Sequence, residues 1–318
     1  AVLVLSGSLL LGRRWLVLAG AVVALLLVPP GAIRGGDGLL YEHESRYQFV
    51  RVTERDGVRR LYLNEGVAVH SVWRADTVLT GGVWDTFLAV PTLLRRPPGS
   101  LAVLGNAGGT VARAFGRFYP GVAVDGVEID PAVTDVAYRY FGLGDNPRVR
   151  TFDEDARPFL RRTSRTYDLV YVDAYHQPYV PFYLATREFF ELVRSRLAPG
   201  GLVALNVASV PGDEALLDGL AGTLATVFPQ VRVWRPLRFN KVLVGLTEPP
   251  AFRAAADPRL APLAELLRRG LSAPVGAADD PWTDDHAPVE WVTDRMIVDY
   301  AVRGGDFDEE QLPTAPGS

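Results

Sequence analysis

Short apolar runs alternate with helical stretches from Ser100 onward, and this alternation restricts the possible folds more than any other feature of the chain. The strand-like runs are 101–104, 122–127, 149–152, 169–172, 202–205, 231–234 and 242–246. Helical stretches lie between most of them, at 110–119, from 131 onward, and at 157–162, 186–197 and 214–228. Alternating strands and helices predict an α/β domain whose parallel sheet carries helices on both faces.

The end of this pattern differs from the rest. The runs 231–234 and 242–246 have no helix between them, so we expect a terminal antiparallel hairpin. Pro199-Gly200-Gly201 is expected to stop the preceding helix before the next strand begins.

A separate β unit is predicted ahead of the α/β pattern. Asp56-Gly57 lies between the strand-like runs 47–54 and 58–63, and Asp-Gly in this setting is a strong hairpin signal. A further strand at 67–72 completes a small β domain that ends near Pro97-Pro98.

Residues 1–33 are largely apolar, with a basic break at Gly12-Arg13-Arg14, and Arg34 follows them. A spanning helix needs about 20 apolar residues, and the run from Trp15 to Ile33 approaches that length. An apolar run also precedes the basic pair, which favours membrane helices over a cleaved signal peptide. Because the chain starts at Ala1 rather than Met, we expect it to be the C-terminal part of a longer protein.

Composition excludes several kinds of site. The chain has no cysteine, which excludes disulfides, thiolate catalysis and zinc–thiolate centres. Its four histidines show no metal-ligand spacing, so we expect no metal. The net charge of −4 argues against a nucleic-acid partner, which usually binds a basic face.

Candidate binding residues follow the first two strands of the predicted sheet, where ligands bind in folds of this kind. Gly105-Asn106-Ala107-Gly108-Gly109 comes directly after the first strand and opens a helix, so its free N–H groups can face a ligand. An ordinary tight turn is the alternative. Glu128 ends the second strand, about 20 residues after the loop, where a carboxylate can accept both hydroxyls of a ribose. Asp130 before Pro131 fits a helix N-cap.

Two more carboxylates follow the third and fourth strands. Asp155, with Ala156, can accept the exocyclic amine of adenine, or it can cap the helix that follows. Asp173 supplies negative charge where a cationic group would dock, and a turn or cap role is its alternative. The four features together predict a nucleotide site far more specifically than any one of them.

These residues resemble the spermidine synthase family. Val127-Glu128-Ile129-Asp130 matches the family's ribose-binding strand end, and Ser45-Arg46-Tyr47-Gln48 resembles the segment whose Gln contacts the nucleotide. The resemblance implies a class I adenosylmethionine-dependent, Rossmann-like doubly wound sheet that binds decarboxylated adenosylmethionine. The residues expected to hold the nucleotide are Gln48, Gly105, Gly108, Gly109, Glu128, Asp155 and Ala156.

The chain departs from the family pattern where the amine is handled. The family's loop acid falls on Gly108, its Tyr-His-Glu segment on Val83-Trp84-Asp85, and its second loop Asp on His176. The resemblance implies Asp173 and His176 as catalytic residues, with the imidazole, whose pKa is normally about 6.5, as base. It implies Asp85, Asp173 and Tyr175 as the residues that bind the amine.

Three functions therefore stay open. The first is aminopropyl transfer to a putrescine-like amine, with release of methylthioadenosine. The second is a methyltransferase that uses adenosylmethionine, which the missing acid at Gly108 favours. The third is an inactive nucleotide- or polyamine-binding domain of a membrane protein.

The predicted organisation has five parts. They are a membrane segment (1–34), a small β domain (35–98), a nucleotide-binding domain (99–250), a helical extension (251–303) and a disordered tail (304–318). The apolar start and Thr283–Glu290 resemble bacterial proteins in which a transporter-like part is fused to a spermidine synthase. We expect attachment to the cell membrane through the N-terminal helix and a cytoplasmic catalytic domain, because a nucleotide substrate favours the cytoplasm. The resemblance also implies a homodimer.

Overall fold

The structure is a computed structural model that describes residues 35–64, 68–174 and 179–306, together with Gly20, Ile33 and Leu312. The predicted membrane segment over 1–34 therefore lies outside the described residues, except at Gly20 and Ile33. Tyr175 and His176 also lie outside them. Within the described part of the chain, no helix is both long and apolar enough to cross a membrane.

The small β domain is a four-stranded antiparallel meander. Its strands are β1 (Leu39–Glu44), β2 (Phe49–Arg55), β3 (Val58–Leu63) and β4 (Val69–Arg74). The predicted hairpin is confirmed, because Asp56 and Gly57 connect β2 to β3 with φ values of 52° and 73°. Positive φ at both central residues is the turn geometry that matches the twist of paired strands. The sequence reading missed β1.

The large domain is a seven-stranded sheet in the spatial order β10-β11-β9-β8-β5-β6-β7. Its strands are β5 (Ser100–Leu104), β6 (Ala123–Glu128), β7 (Val149–Asp153), β8 (Tyr167–Val172), β9 (Leu197–Ala208), β10 (Gln230–Trp234) and β11 (Asn240–Leu246). Strands β5 to β9 pair with one another in parallel, which confirms the predicted fold class. The predicted antiparallel pair is also confirmed, although β11 lies between β10 and β9 and leaves β10 at the edge.

Helices connect most of these strands. They are α1 (Val83–Thr86), α2 (Thr110–Phe118), α3 (Pro131–Tyr140), α4 (Ala156–Arg162), α5 (Arg187–Ser195), α6 (Ala215–Ala225), α7 (Ala261–Gly270) and α8 (Val289–Val302). One boundary prediction was wrong: α5 ends at Ser195, and Pro199-Gly200-Gly201 lies inside β9 rather than before it. The extra residues form an irregularity in the pairing with β8, where Gly200 adopts a φ of 78° that favours glycine.

Apolar side chains cover both faces of the large sheet. One buried cluster joins it to α4, α5, α6 and α8, through residues such as Phe159, Phe189 and Met296. The other joins it to α2 and α7, through Phe115 and Leu267. A third cluster packs β2 and β3 against α3. Leu312, within the segment predicted to be a disordered tail, is buried and its N–H donates to the carbonyl of Gly81 (2.6 Å).

Strand β5 lies between β6 and β8. From β5 the chain continues through β6 and β7 on one side, and it then crosses back to β8 on the other side of β5. A crevice opens at such a point, along the carboxyl ends of the central strands. The fold therefore brings together the segments that follow β5, β6 and β8.

The C-terminal extension is fixed to α6 by a contact at Gly219. A Cβ atom there would lie 2.1 Å from Cζ2 of Trp282. We predict that Gly219→Ala lowers the free energy of unfolding, because the overpacking cost of about 1–3 kcal/mol exceeds the helix-propensity gain of about 1 kcal/mol. Urea denaturation measures the change. Gly276→Ala is the control, since no described residue lies within 4 Å of a Cβ there; equal effects of the two substitutions would contradict the packing argument.

Candidate active site

The loop between β5 and α2 is shaped by contacts with the protein's own chain. Gly105 and Gly109 have φ values of 86° and 78°, which favour glycine. A Cβ at Gly105 would lie 2.6 Å from Cα of Ala174, and one at Gly109 would lie 2.5 Å from Cδ1 of Leu143. The two glycines therefore let the loop pack closely against the segment after β8 and against the region after α3.

Glu128 ends β6 and holds this loop. Its carboxylate accepts hydrogen bonds from the N–H groups of Ala107 (2.9 Å) and Asp130 (3.1 Å). The residue is only 8% exposed, and burial raises its pKa to about 7. The two N–H groups oppose this rise because they stabilise the ionised form. A carboxylate that the sequence predicted to face a ribose thus lies directly beside the glycine-rich loop.

Asp130 connects the small β domain to the end of β6. One carboxylate oxygen accepts from the N–H of Ala132 (3.0 Å), which confirms the predicted N-cap of α3. The other oxygen accepts from the hydroxyl of Ser45 (2.6 Å). The same hydroxyl oxygen accepts from the N–H of Gln48 (3.0 Å). This chain of bonds places the Gln48 segment, which the sequence assigned to the nucleotide, at the carboxyl end of β6.

Asp155 has both carboxylate oxygens in use. The first accepts from the N–H of Arg157 (2.8 Å), so the residue caps α4, as one of its two interpretations expected. The second accepts from the hydroxyl of Tyr183 (2.6 Å), a partner that the sequence reading missed. Burial, together with this bond, raises the pKa of Tyr183. Ala156 is the first residue of α4 and is buried. A role in adenine binding stays a prediction for both residues.

Asp173 directly follows β8 and lies beside the end of β5. Its N–H donates to the carbonyl of Leu104 (2.8 Å), and its carboxylate accepts from the side-chain amide of Asn206 (2.9 Å). Burial raises its pKa to about 7, while hydrogen bonds from Asn206 and Trp84 act in the opposite direction. The residue nevertheless keeps partial exposure to solvent. Among the described residues, its carboxyl group therefore has only neutral side-chain donors as partners and a pKa near neutrality.

Asp85 is occupied by its own turn. Its carboxylate accepts from the N–H groups of Thr80 (3.0 Å) and Gly81 (2.8 Å), and from the hydroxyl of Thr80. The residue is 5% exposed, and burial raises its pKa. Binding of an amine by Asp85 stays a prediction, and it would require this turn to open. Its neighbour Trp84, by contrast, donates directly to Asp173.

Gly108 lies where the small β domain touches the loop. Its N–H donates to the hydroxyl of Ser71 (2.9 Å) on β4. A Cβ there would lie 2.7 Å from Cβ of Ser71 and 3.1 Å from Cγ of Phe141. The N–H of Val72 also donates to the hydroxyl of Thr110 (3.2 Å) at the start of α2. The docked strand therefore leaves no space for an acidic side chain at this position.

Asp284 of the extension is paired with a cation. Its two carboxylate oxygens accept from both terminal nitrogens of Arg157 (2.8 and 2.6 Å), and one also accepts from the hydroxyl of Thr186. The bond from Arg157 lowers the pKa of Asp284. This carboxylate thus fastens the extension to α4 and α5, and its charge is compensated.

Part of the chain is similar to known proteins. Residues 83–235 match the spermine/spermidine synthase domain. The chain is 37% identical over 191 residues to a probable polyamine aminopropyl transferase of Bifidobacterium longum, covering 60% of this chain and 42% of the relative. It is also 28% identical over 205 residues to the human eEF1A lysine and N-terminal methyltransferase, covering 60% of this chain and 29% of that one. The chain thus spans less than half the length of both relatives.

A solved spermidine synthase in complex with the transition-state analogue AdoDATO has a similar fold. The TM-score is 0.56 at 19% identity, with 66% of this chain and 74% of that chain covered. The expected resemblance is confirmed as a similarity: residues 83–235 match the spermine/spermidine synthase domain, and the relatives include a probable polyamine aminopropyl transferase.

The contact between Gly108 and Ser71 generates a stability prediction. We expect Gly108→Ala to lower the free energy of unfolding by about 1–3 kcal/mol, because the added methyl group overlaps Ser71. Gly121→Ala is the control, since a Cβ there would contact none of the residues that the structure describes within 4 Å. Calorimetric unfolding of both variants is the measurement, and a Gly108→Ala protein as stable as its control would show that β4 does not press on the loop.

The raised pKa of Glu128 generates a pH prediction. A carboxyl whose folded pKa is about 7 and whose ordinary pKa is 4.5 binds a proton more tightly in the folded state. Its contribution to stability is therefore present at low pH and is lost as pH rises between these values. We expect the unfolding free energy of the native protein to fall by about 2–3 kcal/mol relative to Glu128→Gln over that interval. A parallel pH dependence of the two proteins would exclude the shift.

Proposed function

We propose that the spermine/spermidine synthase domain of this chain transfers an aminopropyl group from decarboxylated adenosylmethionine to an amine and releases methylthioadenosine. The observation that carries the proposal is the Asp173 carboxyl group. It lies at the end of β8 next to the loop that Glu128 holds, and its pKa is about 7. The match of residues 83–235 to this domain supports the same reading.

The reaction needs a proton acceptor. A protonated amine has no lone pair, so it must lose a proton before it can attack the carbon next to the sulfonium. The C–N bond then forms while the C–S bond breaks, and the electron pair of that bond stays on sulfur in neutral methylthioadenosine. Asp173 would accept the amine proton, and a carboxylate with a pKa of about 7 is a stronger base than one at the usual value of about 4.

The nucleotide would lie along the ends of β5, β6 and β7. Glu128 would accept the ribose hydroxyls and Asp155 the amino group of adenine, while Gln48, Ala156 and the loop glycines line the same edge. The hydrogen-bond donors to both acids are neutral groups rather than cations, so the donors of a ligand can replace them. The similarity in fold to a spermidine synthase solved with AdoDATO supports decarboxylated adenosylmethionine as the co-substrate.

The amine would approach Asp173 from the crevice. Negative charge at this point suits a cationic putrescine-like acceptor. Tyr175 and His176 stay predictions, because both lie outside the described residues. A homodimer also stays a prediction from the family resemblance.

A methyltransferase is the second candidate, and Gly108 is the observation that favours it. The contact with Ser71 leaves no room for an acidic side chain there. A methionine carboxylate would therefore meet no repulsion from the loop. The similarity to the human eEF1A methyltransferase points in the same direction.

Product analysis by mass spectrometry tests the proposal. The chain is incubated with a panel of di- and polyamines and either decarboxylated adenosylmethionine or adenosylmethionine. We expect methylthioadenosine and an aminopropylated amine from the first mixture, and a loss of at least about 100-fold in rate for Asp173→Asn. Retained binding of methylthioadenosine by this variant, measured by calorimetry, is the control for folding.

Each other outcome contradicts the proposal. Adenosylhomocysteine and a methylated product from the second mixture would assign the protein to the methyltransferases. Bound nucleotide without any product would leave a binding domain. Full activity of Asp173→Asn would remove Asp173 from the mechanism.

A further inference from the structure

Two asparagines extend from Asp173 across the antiparallel end of the sheet. The side-chain amide nitrogen of Asn206 on β9 donates to Oδ1 of Asp173 (2.9 Å). The side-chain amide nitrogen of Asn240, the first residue of β11, donates in turn to Oδ1 of Asn206 (2.9 Å). The two hydrogen bonds therefore link β8, β9 and β11 through side chains, one step from a candidate catalytic group.

The far end of this chain of bonds is held in place. Lys241 is buried beside Asn240, and its ammonium group donates to the carbonyls of Leu237 and Arg238 (both 2.7 Å). The N–H of Ser209 donates to the carbonyl of Phe239 (2.9 Å). These bonds close the turn that precedes β11. The turn and the strand pairing together fix where Asn240 presents its amide.

The direction of the two hydrogen bonds determines which edge of the Asn206 amide faces Asp173. A side-chain amide has a donating edge and an accepting edge. Since Asn240 donates to the oxygen of Asn206, the nitrogen of Asn206 is turned towards Asp173. An ionised carboxylate accepts only, so it matches this edge, whereas the opposite orientation of Asn206 would face it with an oxygen. Asn206 is 8% exposed, which limits replacement of these bonds by water.

We propose that Asn240 and Asn206 form a relay that fixes the orientation of the Asp173 carboxylate and keeps it ionised for proton transfer. Both are positioning residues that act through Asp173. The inference rests on the proposed function for its catalytic meaning. The relay itself is a property of the folded protein and can be tested without turnover.

The remaining contacts of Asp173 show why the hydrogen bond from Asn206 matters for the charge of its carboxylate. Trp84 of α1 is a second donor, and the carbonyl of Leu104 on β5 accepts the backbone N–H. Among the residues that the structure describes, burial and these two side-chain donors are the causes of its pKa, and no charged side chain contributes. Asp85, next to Trp84, directs its carboxylate to Thr80 and Gly81. Neutral donors are thus what oppose the effect of burial.

The substitution Asn240→Asp tests the relay. A carboxylate at position 240 accepts only, so Asn206 would turn its nitrogen towards it and its oxygen towards Asp173. Asp173 would then need a proton to make a hydrogen bond. We expect its pKa to rise by about one unit or more, as for loss of a bond to an ionised group. Carbon-13 NMR of the aspartate carboxyl carbons measures this pKa, with the Asp173 signal assigned by its absence in Asp173→Asn.

A double-mutant cycle separates the relay from the added charge. Asn206→Leu removes the amide while nearly keeping its size. In that background we expect Asn240→Asp to shift the pKa of Asp173 by much less than in the native protein. Equal shifts in both backgrounds would mean that the new charge acts directly, and no shift in the native background would mean that the amide does not turn. Either result overturns the proposal.

A second measurement keeps the test decisive if Asn206→Leu does not fold. The pKa of Asp173 is then measured in Asn240→Leu, which removes the hydrogen bond to Oδ1 of Asn206 without adding a charge. The relay predicts that this pKa rises, because the amide of Asn206 is no longer held with its nitrogen towards Asp173, and an unchanged pKa overturns the relay. The titration needs no substrate, so an inactive protein in the product assay would leave this result unaffected.

Discussion

The close approach between Gly105 and the segment directly after β8 is the contact on which the rest of the site depends. A Cβ at Gly105 would lie 2.6 Å from the backbone of Ala174, so β5 and the segment after β8 meet with no side chain between them. The N–H of Asp173 donates to Leu104 at the same place. This approach brings the loop held by Glu128 next to the acid after β8. The nucleotide half and the amine half of the proposed reaction become neighbours through backbone contact alone.

Glu128 and Asp173 differ from Asp284 and Asp125 in the partners of their carboxylates. Glu128 and Asp173 are held by N–H groups, an amide and an indole, and burial raises the pKa of both to about 7. Asp284 and Asp125 are instead paired with arginines, the first with Arg157 and the second with Arg150 and Arg165. An arginine beside a carboxylate stabilises its ionised form, and the bond from Arg157 lowers the pKa of Asp284. Glu128 and Asp173, which have neutral donors, can exchange a proton near neutral pH. The partners thus distinguish Glu128 and Asp173 from these two structural carboxylates.

Local pattern in the sequence predicted the parts that local chemistry determines. The Asp56-Gly57 turn, the alternation of strands and helices, and the cap formed by Asp130 all follow from residues within a few positions of one another. Glu128 and Asp173 were singled out in the same way, since the first ends a strand and the second directly follows one. The position of Pro199-Gly200-Gly201 was misread, because only pairing with β8 shows that the strand has already begun.

The partners of these residues come from distant parts of the chain and left no local signal. Ser45 binds Asp130 across 85 positions, and Asn206 binds Asp173 across 33. The family resemblance indicated that Gly108 stands where the family has an acid. Only the structure shows that Ser71, on a strand of the small β domain, leaves no room for an acidic side chain there. Polar residues that act through such contacts look like ordinary strand residues until the sheet is assembled.

The central claim is that a sulfonium nucleotide lies along the ends of β5 to β8, with its reacting sulfur beside Asp173. A crystal structure of the protein with methylthioadenosine tests it most directly. We expect the ribose hydroxyls on Glu128, the adenine amino group on Asp155, and the sulfur near the carboxylate of Asp173. A nucleotide bound elsewhere, or bound here with its sulfur directed away from Asp173, would contradict the account.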